Sequence, residues 1–288
     1  MTWIATIPVW GDWYIDRFIN HGLPSLKVAV TEFGKSVTFR VYTDQADRLR
    51  PLFDGFSVEF RDLPMHIEKV HPRFAACHQN AAYKAKSGDR LMLLCADMVV
   101  SRELFSACDA RFEAGKKAVV CCATRTVGSP PIGAKARELL RWTMKNAHPI
   151  TKDLFWGTGK SACPWTVYFG SDEGITLRGF HLHPIAIVKD RTYSFEGTID
   201  QDLLNALSHE EIHVVTSADE LGIAEVTVGH RDDLGRHQHP MTLDSIANWA
   251  SGRAAPIHRW LSSHSIIITG VGAKMSDVIW PQIMERVR

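Results

Sequence analysis

The sequence has no excess of charge of either sign. Its 33 Lys and Arg stand against 32 Asp and Glu, a formal net charge of +1. Proteins that hold a polyanion carry a basic excess, so nucleic acid is not an expected partner. There is also no CxxC pair. The six cysteines (Cys77, Cys95, Cys108, Cys121, Cys122 and Cys163) include several inside apolar runs, where a free thiol behaves as a small hydrophobe. That usage points to a reduced, intracellular protein. No apolar run reaches the roughly 18 to 20 residues that span a bilayer. The opening "MTWIATIPVWGDW" has neither a basic n-region nor a small-residue cleavage site. The expectation is a cytoplasmic protein without a transmembrane segment, free or peripheral to the membrane. Internal repeats and low-complexity segments are missing, as is a glycine-rich, Lys/Arg-containing phosphate loop near the first strand. A chain of 288 residues needs no disulfide or metal to hold a core.

What is present alternates. "TWIATIPVW" and "VTFRVYTD" are apolar and β-branched, and "SVEFRDLP" has the two-residue alternation of a half-buried strand. Helical patterns lie between them, at 12–34 with an interruption at Pro24 and at 45–53. A third helix, "PRFAACHQNAAYKAKSG", has Pro72 in its first turn and closes at Gly88, delivering the chain to "DRLMLLCADMVVS". Ser101 reads as an N-cap with Glu103 in the first turn, Gly115 ends that helix, and "KKAVVCCAT" is a further buried strand. Strands alternating with helices of this length predict βαβ units and a mainly parallel sheet. Beyond residue 125 come a loop, a helix at 134–148, and "KDLFWGTGKSACPW", which has no sustained period and suits either a ligand-facing loop or a surface crossover. "GFHLHPIAIVKD" returns to strand, "GTIDQDLLNAL" starts a helix, and the tail holds one further helix, "MTLDSIANWASG".

Asp97 is the residue on which the functional reading turns. A lone carboxylate in an otherwise apolar run either ends a buried strand, facing a ligand, or caps a turn. Ligands of open α/β sheets sit beyond the carboxyl ends of the strands, and an unpaired buried carboxylate is costly, so a ligand-facing role is favoured.

The order "ATIPVW", a strand ending "YTD", a helix into "DRLMLLCADMVVS", then "GKKAVVCC" resembles the nucleotide-sugar half of GT-A glycosyltransferases over residues 3–125. The resemblance implies a single GT-A-like, Rossmann-type domain over 1–288. Its sheet would be mainly parallel and flanked by helices, with 1–125 as the nucleotide-sugar-binding half. Residues 126–288 would form the smaller acceptor-side region and a C-terminal helical tail. It also implies that Thr6, Ile7, Pro8 and Asp44 border the nucleotide. The family's Asp-x-Asp is here Cys95, Ala96 and Asp97, so only the last acid is present. A divalent cation, Mn²⁺ or Mg²⁺, would be held by Asp97 with a late histidine, and the incomplete motif leaves metal dependence open.

Three further motifs carry chemistry. In "FHLHP", His181 and His183 share a face if the segment is a strand, and either could be that late histidine; ordinary hydrogen-bonded histidines are the alternative. His237 and His239 in "RHQHP" repeat the spacing on a polar, solvent-facing segment. In "FEGTIDQDL", Glu196, Asp200 and Asp202 could supply the carboxylate that takes a proton from an acceptor hydroxyl, or could be acids favoured at a helix N-terminus. Finally, "HEEIH" at 209–213 matches the zinc-protease pattern, which requires a continuous helix to place both imidazoles on one face. The β-branched "IHVVTS" argues that the helix ends there instead.

The resulting expectation is a glycosyltransferase that moves a sugar from a nucleotide-sugar donor to an acceptor hydroxyl of a glycan or lipid-linked acceptor, for example in cell-surface glycan synthesis. The alternatives are a zinc-dependent hydrolase built on "HEEIH", a sugar-phosphate nucleotidyltransferase, and a non-catalytic nucleotide-sugar-binding domain.

Overall fold

Seven strands form the central sheet of the computed structural model, which describes residues 2–161, 163–195, 203–227 and 239–287. In chain order they are β1 (Trp3–Pro8), β2 (Val37–Tyr42), β3 (Ser57–Arg61), β4 (Arg90–Leu93), β6 (Ala118–Cys121), β10 (His183–Val188) and β11 (Ile212–Val214). Their spatial order is β11-β6-β10-β4-β1-β2-β3. All run parallel except β10, which is antiparallel to both β4 and β6. This is the α/β architecture expected, a mainly parallel sheet flanked by helices. Two three-stranded sheets complete it. One joins β5 (Met98–Val100), β12 (Ile223–Val226) and β7 (Thr124–Thr126); the other joins β13 (Ile266–Gly270), β9 (Gly174–Gly179) and β8 (Thr166–Ser171).

Apart from the edge strand β3, the sheet is buried on both faces, and that is why its strands read as apolar runs. In β1, Trp3, Ala5 and Ile7 join one core cluster while Ile4 joins the other; in β4, Met92 and Leu91 divide in the same way. The first cluster packs against α1 (Asp12–Arg17), α2 (Leu23–Phe33) and α5 (Leu104–Glu113) through Ile15, Leu26 and Phe105. The second packs against α4 (Val70–Lys84) and the C-terminal helices. Strands β10 and β11 come from the second half of the chain, so both halves build one sheet.

Several expectations are corrected. The run from Asp12 to Phe33 is not broken at Pro24, the second residue of α2. The irregularity is a π-helical turn, Phe18–Gly22. Ser101 caps no helix: α5 begins at Leu104, and the Ser101 hydroxyl accepts from the Gly222 N–H at 3.2 Å. Glu103 instead accepts from the backbone N–H of Ala136, at the start of α6 (Ala136–Lys145). "LMLLCADMVV" is two strands in two sheets rather than one, with Asp97 in the turn between β4 and β5. His181 precedes β10, so the strand-face argument applies to His183 alone. The tail holds three helices, Leu243–Arg253, Pro256–Ser262 and Met275–Met284, together with β13.

Candidate active site

The strand order reverses at β1: β2 and β3 lie to one side of it and β4 to the other. Such a switch point opens a crevice beyond the carboxyl ends of the strands. A cavity of ≈ 470 Å³ lies there, within the roughly 300–1,000 Å³ typical of small-molecule sites.

Each wall follows from local sequence. β1 leaves the sheet at Pro8, and Gly11, at φ 74°, turns the chain into α1; the first turn of that helix brings Trp13 and Tyr14 to the cavity beside Trp10. β4 ends with the Leu94 N–H donating to the Thr6 carbonyl. A turn then closes where the Met98 N–H meets the Cys95 carbonyl at 3.3 Å. Asp97 in this turn lines the cavity yet is only 9% exposed, and its carbonyl accepts from the Val226 N–H at 2.9 Å. The π-helical turn presses on the other side. A Cβ on Gly22 would stand 2.9 Å from the Ala96 carbonyl oxygen and 3.3 Å from that of Met98, so only glycine lets the helix approach this closely.

His183 opens the antiparallel strand β10, which places it at the carboxyl end of β4. Its Nε2 lies 2.9 Å from the Leu93 carbonyl. A carbonyl can only accept, so Nε2 carries the proton in this bond. His181 also lines the cavity, with its ring 6.1 Å from that of His258. Arg125 of β7 and Glu225 of β12, which also line the cavity, are register partners, and the Arg125 Nε donates to Glu225 at 3.1 Å. Glu225 is the main reason the Arg125 guanidinium is held even more firmly charged than usual; burial opposes this, and Asp97 adds to it. Tyr168 completes the floor, 3.1 Å from the Thr124 hydroxyl, and burial keeps its phenol from ionising.

Of the residues singled out from sequence, Pro8, Asp97, His181 and His183 line this one cavity. Thr6 and Ile7 are wholly buried in β1, and Asp44 is exposed beyond β2. Glu196, Asp200, Asp202 and His237 lie outside the described residues, and His239 is exposed. "HEEIH" is not a helix. His209–Glu211 form a 3-10 turn and His213 belongs to β11. His209 stacks on Trp260 at 4.2 Å, and His213 pairs with Glu220 at 2.7 Å, an arrangement without the shared face that a zinc hydrolase needs. Trp165, with Leu154, comes from the segment read as either a ligand-facing loop or a surface crossover, whereas Arg125, Glu225 and the rings of Trp10, Trp13 and Tyr14 were not foreseen. The only signals available were the tryptophan-rich "VWGDWY" and "CPW".

The divalent cation implied by the resemblance can be tested against these side chains. Among the described residues no group of three or more His, Cys, Asp or Glu is placed to hold a metal ion. Asp97 offers one carboxylate with a guanidinium as its electrostatic neighbour, and His183 commits Nε2 to Leu93. That set does not fit a metal centre built by the described residues alone.

No protein-family model matches the chain, and no curated protein sequence matches it significantly. Among solved structures it is similar to S. aureus TarS 1–349, at 10% identity and a TM-score of 0.42 over 99% of this chain and 71% of that one. Against the same protein in complex with UDP-GlcNAc the identity is 11% and the TM-score 0.44, covering 99% and 72%. HddC from Yersinia pseudotuberculosis aligns at 9% identity and a TM-score of 0.40, covering 78% of this chain and 93% of that one. Likeness at this level carries no argument about activity.

Proposed function

We propose that the cavity at the ends of β1 and β4 binds a nucleotide sugar and that the chain transfers the sugar to an acceptor hydroxyl on a glycan or lipid-linked acceptor. The observation that carries this reading is the position of Asp97, a nearly buried carboxylate at the switch point of a GT-A-like sheet, in a cavity of donor size walled by aromatic rings. Flat rings suit the faces of a base or a sugar, and one guanidinium and two histidines supply polar contacts. In the transfer, the bond from the anomeric carbon to the diphosphate breaks and the acceptor oxygen bonds to that carbon. The acceptor proton passes to a carboxylate, for which Glu196, Asp200 and Asp202 are the candidates.

A panel of nucleotides and nucleotide sugars, with and without Mn²⁺, tests this by thermal shift. One nucleotide sugar at a hundred times its Kd should raise Tm by on the order of 5 °C; a panel with no shift counts against the reading. A binding domain without turnover is the second reading, supported by Cys95 and Ala96 in place of a fuller acidic motif. It predicts the same shift with no release of nucleoside diphosphate.

A further inference from the structure

Arg125 is the one Lys or Arg among the described residues that line the cavity, and its environment fixes it at both ends. Its carbonyl accepts from the Thr151 hydroxyl at 2.8 Å and the His148 N–H at 3.1 Å. At the other end, Nε donates to Glu225 and the guanidinium carbon lies 5.9 Å from the Trp165 ring centroid. Only Nε is engaged by this pairing. The two terminal nitrogens make no hydrogen bond with any described residue, and the side chain is 25% exposed. A guanidinium held by its Nε, with the Nη1/Nη2 fork left open, is the arrangement that meets two oxygens of one phosphate in parallel.

We propose that the Arg125 fork binds the diphosphate of the donor and stabilises the charge that collects there as the sugar leaves. This deepens the nucleotide-sugar reading and rests on it. The charge balance makes the role sharp. Asp97 and Glu225 are the two carboxylates among the described lining residues, against the single guanidinium of Arg125. Removing the guanidinium leaves a diphosphate facing two carboxylates, whereas an uncharged nucleoside is indifferent to the change.

The test is titration of the full chain with UDP, GDP and dTDP, each beside its nucleoside, once in EDTA and once with Mg²⁺. Because Arg125→Gln alone strands Glu225, the variants are Arg125→Lys, which keeps the charge and loses the fork, and the double variant Arg125→Gln/Glu225→Gln. Loss of charge-assisted bonds should weaken the bound nucleoside diphosphate by about tenfold in the first and a hundredfold in the second, in both buffers. The nucleoside should bind all three proteins alike. Unchanged diphosphate affinity in the variants overturns the role of Arg125 and leaves the donor site standing. Equal losses for diphosphate and nucleoside overturn it as well, by showing that Arg125 only shapes the cavity. If the wild type binds none of the three nucleotides, the donor reading and this inference fall together.

Discussion

Gly22→Ala tests whether the helix behind the site sets the position of Asp97. Gly22 has ordinary helical angles, φ −62° and ψ −59°, so a methyl group adds no backbone strain and should bring the usual helix-propensity gain of about 0.5–1 kcal/mol. Space opposes it. The new Cβ would stand 2.9 Å from the Ala96 carbonyl, 3.1 Å from a Phe18 ring carbon and 3.3 Å from the Met98 carbonyl, and two of these three atoms are backbone of the Asp97 turn. Overpacking of this kind costs typically about 1–3 kcal/mol, so the net change should be a loss of about 1–2 kcal/mol. The turn can yield only by moving the carboxylate, so ligand affinity should fall with it. Gly252→Ala is the control. That glycine lies in the helix Leu243–Arg253 with no atom within 4 Å of an added Cβ, so it should show the propensity gain alone. Urea unfolding gives both stabilities and calorimetry gives the nucleotide affinity. A Gly22→Ala protein as stable as Gly252→Ala, binding nucleotide like the wild type, would refute the coupling.

Two further outcomes follow from the electrostatics. Burial pushes the Glu220 carboxyl up, but bonds from His213 and Arg111 outweigh it and hold the carboxyl below its ordinary range. Its contribution is therefore present at neutral pH and lost as pH falls below about 4.3, the unfolded value. Glu220→Gln should cost about 1–2 kcal/mol at pH 7, with the gap to wild type shrinking in acid; urea midpoints at a gap independent of pH would contradict the pairing. Burial likewise pushes the Cys122 thiol up to about 11, despite lowering contacts from Thr124 and Tyr168. At pH 8 its alkylation should be roughly a hundredfold slower than that of an unperturbed thiol, measured by mass spectrometry of the peptide; labelling at the rate of free thiol would show that the cavity floor is open.

Some of this site was legible in the sequence because the signals were local. Strand runs buried on both faces, Gly115 at a helix end and a carboxylate at the end of an apolar stretch each express a preference that a few neighbouring residues determine. Arg125 and Glu225 were not legible, since nothing in their surroundings marks them. They are paired only because β7 and β12 run side by side in register, 100 positions apart in the chain. Ser101 misled for the same reason: a residue suited to capping was taken by Gly222, 121 positions away. "HEEIH" shows the converse. The motif is present, but Ile212 to Val214 pair with β6, and a strand cannot bring His209 and His213 to one metal.

The most direct measurement of the central claim is donor turnover by wild type and Asp97→Asn, read as release of nucleoside diphosphate from each nucleotide sugar that stabilises the protein. Asparagine keeps the size of Asp97 while exchanging its charge and one acceptor oxygen for an amide NH2, so the fold should be retained. A preorganised carboxylate facing the positive charge that develops at the anomeric carbon as its bond to the diphosphate breaks is worth about a hundredfold or more in rate, and turnover should fall by that much. Full turnover in Asp97→Asn would contradict the account, because it would leave the cavity without the group on which the reading depends.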